Sequence, residues 1–113
     1  MMAVRTFLMK TGALIALEGR MDAASRDLLQ AAGDRMAETG AKHIVVDMTR
    51  LTYISSAGLG VLVRLSSILG KAGCSVSLSG ANGVLRTVLK ITKIGTLFRI
   101  YDTADDAMSA EAG

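Results

Sequence analysis

Residues 43–48, HIVVDM, form a near-continuous apolar run of strand length, and no other stretch restricts the possible folds so tightly. Such a run reads as a strand covered on both faces. Strands of that kind lie inside parallel sheets, where crossover helices supply the covers. The flanking segments fit this frame. AVRTFLMK and ALIALEG (3–10 and 13–19) are short and apolar, and Thr11-Gly12 between them predicts a hairpin with a tight turn. MDAASRDLLQAAGDRMAETG (21–40) predicts a helix that Asp22 caps and Gly40 closes, with Leu28, Leu29, Ala32 and Met36 at helical spacing.

Beyond the central run, the pattern turns helical again from Ser56 or Ala57 to Lys71. Val61, Leu62, Leu65, Ile68 and Leu69 form one face, Arg64, Ser67 and Lys71 the other, and Gly73 marks the stop. CSVSLSG (74–80) alternates like a half-buried strand. NGVLRTVLKITKIG (82–95) predicts a helix capped by Asn82, with Val84, Leu85, Val88 and Leu89 facing inward. TLFRIYD (96–102) predicts a last strand, and Thr103 opens a short acidic helix. The fold class is therefore α/β: a mixed, mostly parallel sheet of about five strands with about four helices packed on it.

At 113 residues the chain suits one compact domain, and no linker or repeat divides 1–113. Aromatic residues make up only 4%, so the core has to be aliphatic. Four acids and no base fall in YDTADDAMSAEAG (101–113), so the net charge of +3 conceals +7 over the rest. Those bases are scattered among apolar positions, without a basic run or interleaved aromatics, which argues against direct nucleic-acid binding. Cys74 is the only cysteine, so no intrachain disulfide forms and a thiolate metal site lacks ligands. The opening MMAVRTFLMKTGALIALEG has basic and apolar parts, but Lys10 and Gly12 interrupt it and it alternates like strands. No segment approaches the ~20 apolar residues of a membrane span. A cytoplasmic protein without membrane insertion is expected.

YISSAGLG (53–60) places two hydroxyls between the central strand and its helix. A nucleophilic serine needs a base, yet the sole histidine, His43, begins the strand that Ser55 and Ser56 follow. His43 is accordingly expected on the surface, and an enzyme is not expected. The stretch lacks the G-x-S-x-G elbow, and GLGVLV lacks a third glycine for a dinucleotide, so Gly58 and Gly60 are read as permitting a close turn and tight helix–sheet packing. No cofactor and no metal are implied. A serine at a helix start has two uses. It caps a free N–H, or it carries a phosphate that the helix dipole and free N–H groups stabilise.

HIVVDMTRLTYISSAGLGVLVRL (43–65) resembles the signature of the STAS domain, specifically the bacterial anti-sigma factor antagonists. In that family a buried strand, an Asp or Asn, and a loop precede Asp-Ser-[Ser/Thr/Ala]-Gly-Leu-Gly, which opens a helix. ALIALEGRMDAASRDLL and LFRIYDTADDAMSA resemble the family's second strand with first helix and its usual ending. Aligned on Gly58-Leu59-Gly60, the family's phosphorylated serine falls on Ser56, with Ser55 the less favoured acceptor standing where relatives carry Asp. The second hydroxyl position falls on Ala57, Asp47 takes the acidic position at the strand end, and Asp22 the turn before the first helix.

The resemblance implies a STAS fold and a partner switch without catalysis. The unphosphorylated chain binds an anti-sigma factor that is itself a serine kinase and frees a sigma factor; phosphorylation of Ser56 ends the complex, and a serine phosphatase resets it. Asp22, Asp47, Ser55, Ala57, Gly58, Leu59 and Val63 are the expected partner contacts, with Leu59 and Val63 an apolar patch beside Ser56 if both are exposed. The alternative is a STAS scaffold in a stress-signalling or lipid-transport complex without sigma control. Monomer and weak dimer are both compatible with the sequence.

Overall fold

The computed structural model describes residues 2–9 and 12–112. Its strands are β1 (Met2–Leu8), β2 (Ala13–Met21), β3 (His43–Ile54), β4 (Ser75–Ser79) and β5 (Arg99–Tyr101). Its helices are α1 (Arg26–Glu38), α2 (Ser56–Lys71), α3 (Gly83–Ile91) and α4 (Ala104–Ala112), with 3-10 turns at Ala23–Ser25 and Ile94–Leu97. The strands lie side by side in chain order; β1 runs antiparallel to β2, and the pairs from β2 to β5 are parallel. Met9 N–H donates to the Gly12 carbonyl at 2.8 Å, continuing the hairpin to its turn. Thr11, expected in that turn, lies outside the described residues.

Alternation along β3 creates two different faces. Ile44, Val46 and Met48 join Leu29, Leu62, Leu65, Leu85 and Leu89 in one apolar cluster, so α1, α2 and α3 share one face of the sheet. His43, Val45 and Asp47 point the other way, where α4 lies across β3, β4 and β5. On this second face Ala107 of α4 is buried, and His43 Nδ1 stands 3.2 Å from Glu111 Oε1.

His43 is thus not the surface residue that its place in the sequence suggested: it starts β3 but is only 6% exposed, under α4. Ser75 Oγ lies 2.7 Å from Nδ1 and Ser77 Oγ 3.1 Å from Nε2. A carboxylate only accepts, so Nδ1 carries the proton toward Glu111 and Nε2 accepts from the Ser77 hydroxyl. Glu111 Oε2 also accepts from Tyr101 OH at 2.7 Å and Arg99 Nη1 at 3.0 Å. The expected half-buried β4 consequently has Ser77 and Ser79 fully covered, because their hydroxyls have partners on β3.

Glycine stops both long helices as expected, with Gly40 at φ +83° and Gly73 at φ +84°. Three apolar positions read as inward point out instead. Leu28, Ile68 and Val84 are exposed because the buried stripes run through Leu29, Ala32, Gly33 and Met36 in α1, through Leu62, Leu65 and Leu69 in α2, and through Leu85 and Leu89 in α3. Ile68 precedes Leu69 by one residue, a turn of about 100° away from the core. Asn82 occupies the N-cap of α3 without a side-chain hydrogen bond.

Candidate functional site

The end of β3 and the start of α2 bring the serines to a junction that β2 completes. Ser55 N–H donates to the Met21 carbonyl at 2.8 Å, tying the loop after β3 to the turn after β2. Ser55 has extended backbone, and its Oγ accepts the Gly58 N–H at 3.1 Å, so Ser55 is the cap of α2. Aspartate serves equally well at an N-cap, so Ser55 supplies the same capping chemistry as the Asp that the family resemblance implies at this position. Ser56 is the first residue of the helix and is exposed, its hydroxyl left out of the capping bond.

Asp22 stands across this junction. Its Oδ1 accepts from Ala24 N–H and from the Ser25 hydroxyl, both at 3.1 Å, which caps the 3-10 turn before α1. The Ser25 hydrogen bond is the main reason the Asp22 carboxyl is held below the usual carboxylate range. Ser25 Oγ also lies 3.2 Å from the Arg20 carbonyl, and the Arg20 guanidinium sits 4.2 Å from the centroid of the Tyr53 ring. Sequence reasoning missed this cation–π pair. It depends on the register Arg20↔Tyr53 between β2 and β3, and no local signal carries that register.

Gly58 and Leu59 do not offer surface. Both are buried, Gly58 because a Cβ there would stand 2.9 Å from Ile54 Cγ1 and 3.1 Å from Met21 Cγ. Gly60, expected to serve packing too, has nothing within 4 Å of its Cβ position. The expected Leu59–Val63 patch is therefore corrected: Leu59 lies within the wide apolar stripe of α2, while Val63 is half-buried at its margin. Ala57 is half-buried beside Ser56. Below Ser56 on the helix, Val63, Ser66 and Ser67 line a hollow of about 260 Å³ with Leu97 and Phe98, and Leu97 is 61% exposed. Leu97 reaches this surface only because the second 3-10 turn packs on α2.

Asp47 is not part of the junction. It is the fifth of the twelve residues of β3, not the strand end, and about 20 Å of extended chain separates it from Ile54. Its Oδ1 accepts from Thr49 Oγ1 at 2.8 Å and Ser79 Oγ at 2.9 Å, joining β3 to β4. β3 runs on through Ile54 because β2 continues beside it across two register shifts, with Leu51 and Ile54 buried. Among the described residues, no three His, Cys, Asp or Glu side chains are grouped to hold a metal, and no helix is long and apolar enough to cross a membrane.

A comparison with protein families matches the STAS domain over residues 9–107. BtrV of Bordetella bronchiseptica, named as a candidate anti-sigma factor antagonist, is 30% identical over 100 residues, covering 88% of this chain and 86% of BtrV. MlaB of Escherichia coli, the binding protein of an intermembrane phospholipid transport system, is 32% identical over 84 residues, 74% of this chain and 82% of MlaB. Among solved structures, the Bacillus anti-sigma factor antagonist SpoIIAA in its unphosphorylated form superimposes with a TM-score of 0.84 at 18% identity, covering 98% of this chain and 97% of SpoIIAA. Its phosphorylated form gives 0.74 at 18% identity, over 96% and 98% of the two chains. The fold, the capped glycine-rich start of α2 and these likenesses agree: the chain belongs to the STAS domain family.

Proposed function

We propose that this chain is an anti-sigma factor antagonist switched by phosphorylation of Ser56. In the unphosphorylated state it binds an anti-sigma factor with serine kinase activity in the cytoplasm and so frees a sigma factor. The kinase then transfers the γ-phosphoryl group of ATP to the Ser56 Oγ, releasing ADP and ending the complex, and a serine phosphatase hydrolyses the ester to restore the antagonist.

The observation that carries this reading is the division of labour between the serines. Ser55 caps α2, and Ser56, exposed at the first helical position, is left to react. A phosphate there adds close to two negative charges in a partner interface, where like-charge repulsion and desolvation oppose rebinding. It also sits at the favourable end of the α2 dipole, so the fold itself has no reason to resist it. Asp22, Ala57, Val63 and Leu97 are the surface we assign to the partner around Ser56; buried Leu59 and Gly58 support that surface from beneath.

Incubation with the cognate kinase and ATP, followed by intact-mass measurement, is the test. One added phosphate is expected on the natural chain and none on Ser56→Ala; a Ser56→Ala chain that still gains one sinks the assignment. The MlaB likeness favours a second reading, a binding subunit of a lipid-transport assembly without sigma control. Capture of membrane-transport subunits by the natural chain and by Ser56→Asp alike, with no kinase in either, decides for that reading.

A further inference from the structure

We propose that two copies of this chain associate through the free edge of β1, antiparallel about Thr6, to form one continuous sheet. β1 ends the sheet, since it pairs only with β2. Antiparallel ladders alternate between residues that exchange hydrogen bonds with the neighbouring strand and residues that do not. The Met9–Gly12 bond sets the phase here: with Met9 bonded opposite Gly12, Phe7, Arg5 and Ala3 bond inward to β2. The N–H and C=O groups of Met2, Val4, Thr6 and Leu8 therefore point away from the sheet, and among the described residues they have no partner. A row of open backbone groups is a template for another strand, and chains ordinarily blunt it with lysine, proline, a bulge or a very short strand. The opposite edge is blunted: β5 is three residues long and carries exposed Arg99. β1 has none of these devices. It is seven residues long, its register with β2 runs unbroken from Met2↔Gly19 to Leu8↔Ala13, and Arg5 is its one charged residue.

Side chains select the occupant and the register. Phe7, Leu8 and Met9 are consecutive and 46%, 63% and 46% exposed, which leaves apolar surface at one end of the edge. A second copy brings its own β1 to that edge in an isologous contact about a two-fold axis. Full overlap of the two strands sets Arg5 opposite Arg5 of the other copy, and like charges directly opposite repel. An axis at Phe7 keeps only Thr6–Leu8 of each strand in the ladder. An axis at Thr6 pairs Val4–Leu8 of both copies: Thr6 meets Thr6, Leu8 meets Val4, and Arg5 lies opposite Phe7. That last pair is not hydrogen-bonded, the arrangement in which side chains come closest. Arg5 and Phe7 line one hollow on the same face of the sheet, so the guanidinium can stack on the ring of the other copy. β2 separates this edge from β3 and from Ser56 beyond it, so the dimer and the switch stand or fall separately.

Analytical ultracentrifugation of the full chain tests the pairing. So short an interface gives a weak dimer, with the mean mass rising from one chain toward two between about 10 µM and 1 mM. Leu8→Lys, at a position already exposed, should weaken association at least about tenfold and leave the circular dichroism spectrum unchanged. Thr6→Pro removes the central outward N–H, a change that an edge strand tolerates, and should abolish the dimer. In an equimolar mixture of isotope-labelled and unlabelled chains, intermolecular NOEs are expected between Arg5 of one copy and the Phe7 ring of the other. Should Thr6→Pro unfold, Leu8→Lys and the NOEs still decide. A single-chain mass at every concentration up to about 1 mM overturns the proposal. So does a dimer that keeps full affinity in Leu8→Lys, or one whose intermolecular NOEs lie away from β1.

Discussion

At the scale of single residues, two adjacent serines of the same chemistry do different work because one backbone is extended and the next is helical. Ser55 Oγ satisfies the Gly58 N–H, one of the donors a helix start leaves open. Ser55→Ala should therefore cost about 1 kcal/mol, or roughly 4 °C of melting temperature in a domain of this size, and Ser55→Asp should restore most of it. Thermal unfolding of the three proteins checks this; an alanine variant as stable as the natural chain would show that the cap contributes nothing. Sequence reasoning could place a capping serine at this junction but could not choose which. The choice depends on which residue is the last with extended backbone, and the Met21 carbonyl on β2 fixes that by accepting the Ser55 N–H.

At the scale of elements, α1 and α2 meet where α1 has no side chain. A Cβ on Gly33 would stand 2.5 Å from Leu65 Cδ1, and Leu65 is fully buried. Gly33→Ala should destabilise by about 1 kcal/mol, since overpacking costing about 1–3 outweighs about 1 gained in helix propensity. Gly60, in α2 with open space around it, gives the opposite sign: Gly60→Ala should stabilise by about 0.5–1 kcal/mol. Urea unfolding of the pair measures both. Helix α4 is held differently, by Ala107 and the polar cluster around Glu111. Burial pulls the His43 pKa down, and the Glu111 charge opposes this only in part; Arg99 also pulls it down. The Tyr101 hydrogen bond, chiefly, lowers that of Glu111. Each group therefore binds fewer protons folded than unfolded. The stability due to His43 is complete above the unfolded histidine value of about 6.5 and is lost as pH falls through its lower folded value. Unfolding midpoints from pH 7 to pH 5 should fall for the natural chain and fall less for His43→Gln. Parallel slopes would mean that His43 does not titrate in place.

At the scale of the whole molecule, the core that holds the fold and the surface proposed for a partner draw on different residues of the same helix, α2. The cluster under α1, α2 and α3 lies on one face, and the end of β3 delivers Ser56 to solvent at the top of α2. A charge at Ser56 should consequently alter recognition and leave the fold unchanged. Ser56→Asp is expected to melt within about 2 °C of the natural chain, as surface substitutions usually do, while binding to the proposed anti-sigma factor partner weakens at least about tenfold. Calorimetry for the first and titration with the partner for the second separate a switch from a folding defect.

The sequence by itself determined the order of strands and helices, the mostly parallel sheet and the junction at YISSAGLG, because period, glycine stops and capping residues act over a few neighbouring positions. Only the tertiary structure decided that Leu59 is buried, that His43 is covered by a helix about seventy residues away in the chain, and that Leu97 lines a hollow with Val63. Helical spacing tells which residues share a stripe but not how wide the neighbouring layers make it. Burial of a polar residue such as His43 depends on partners that only chain crossings bring near, here Ser75, Ser77 and Glu111.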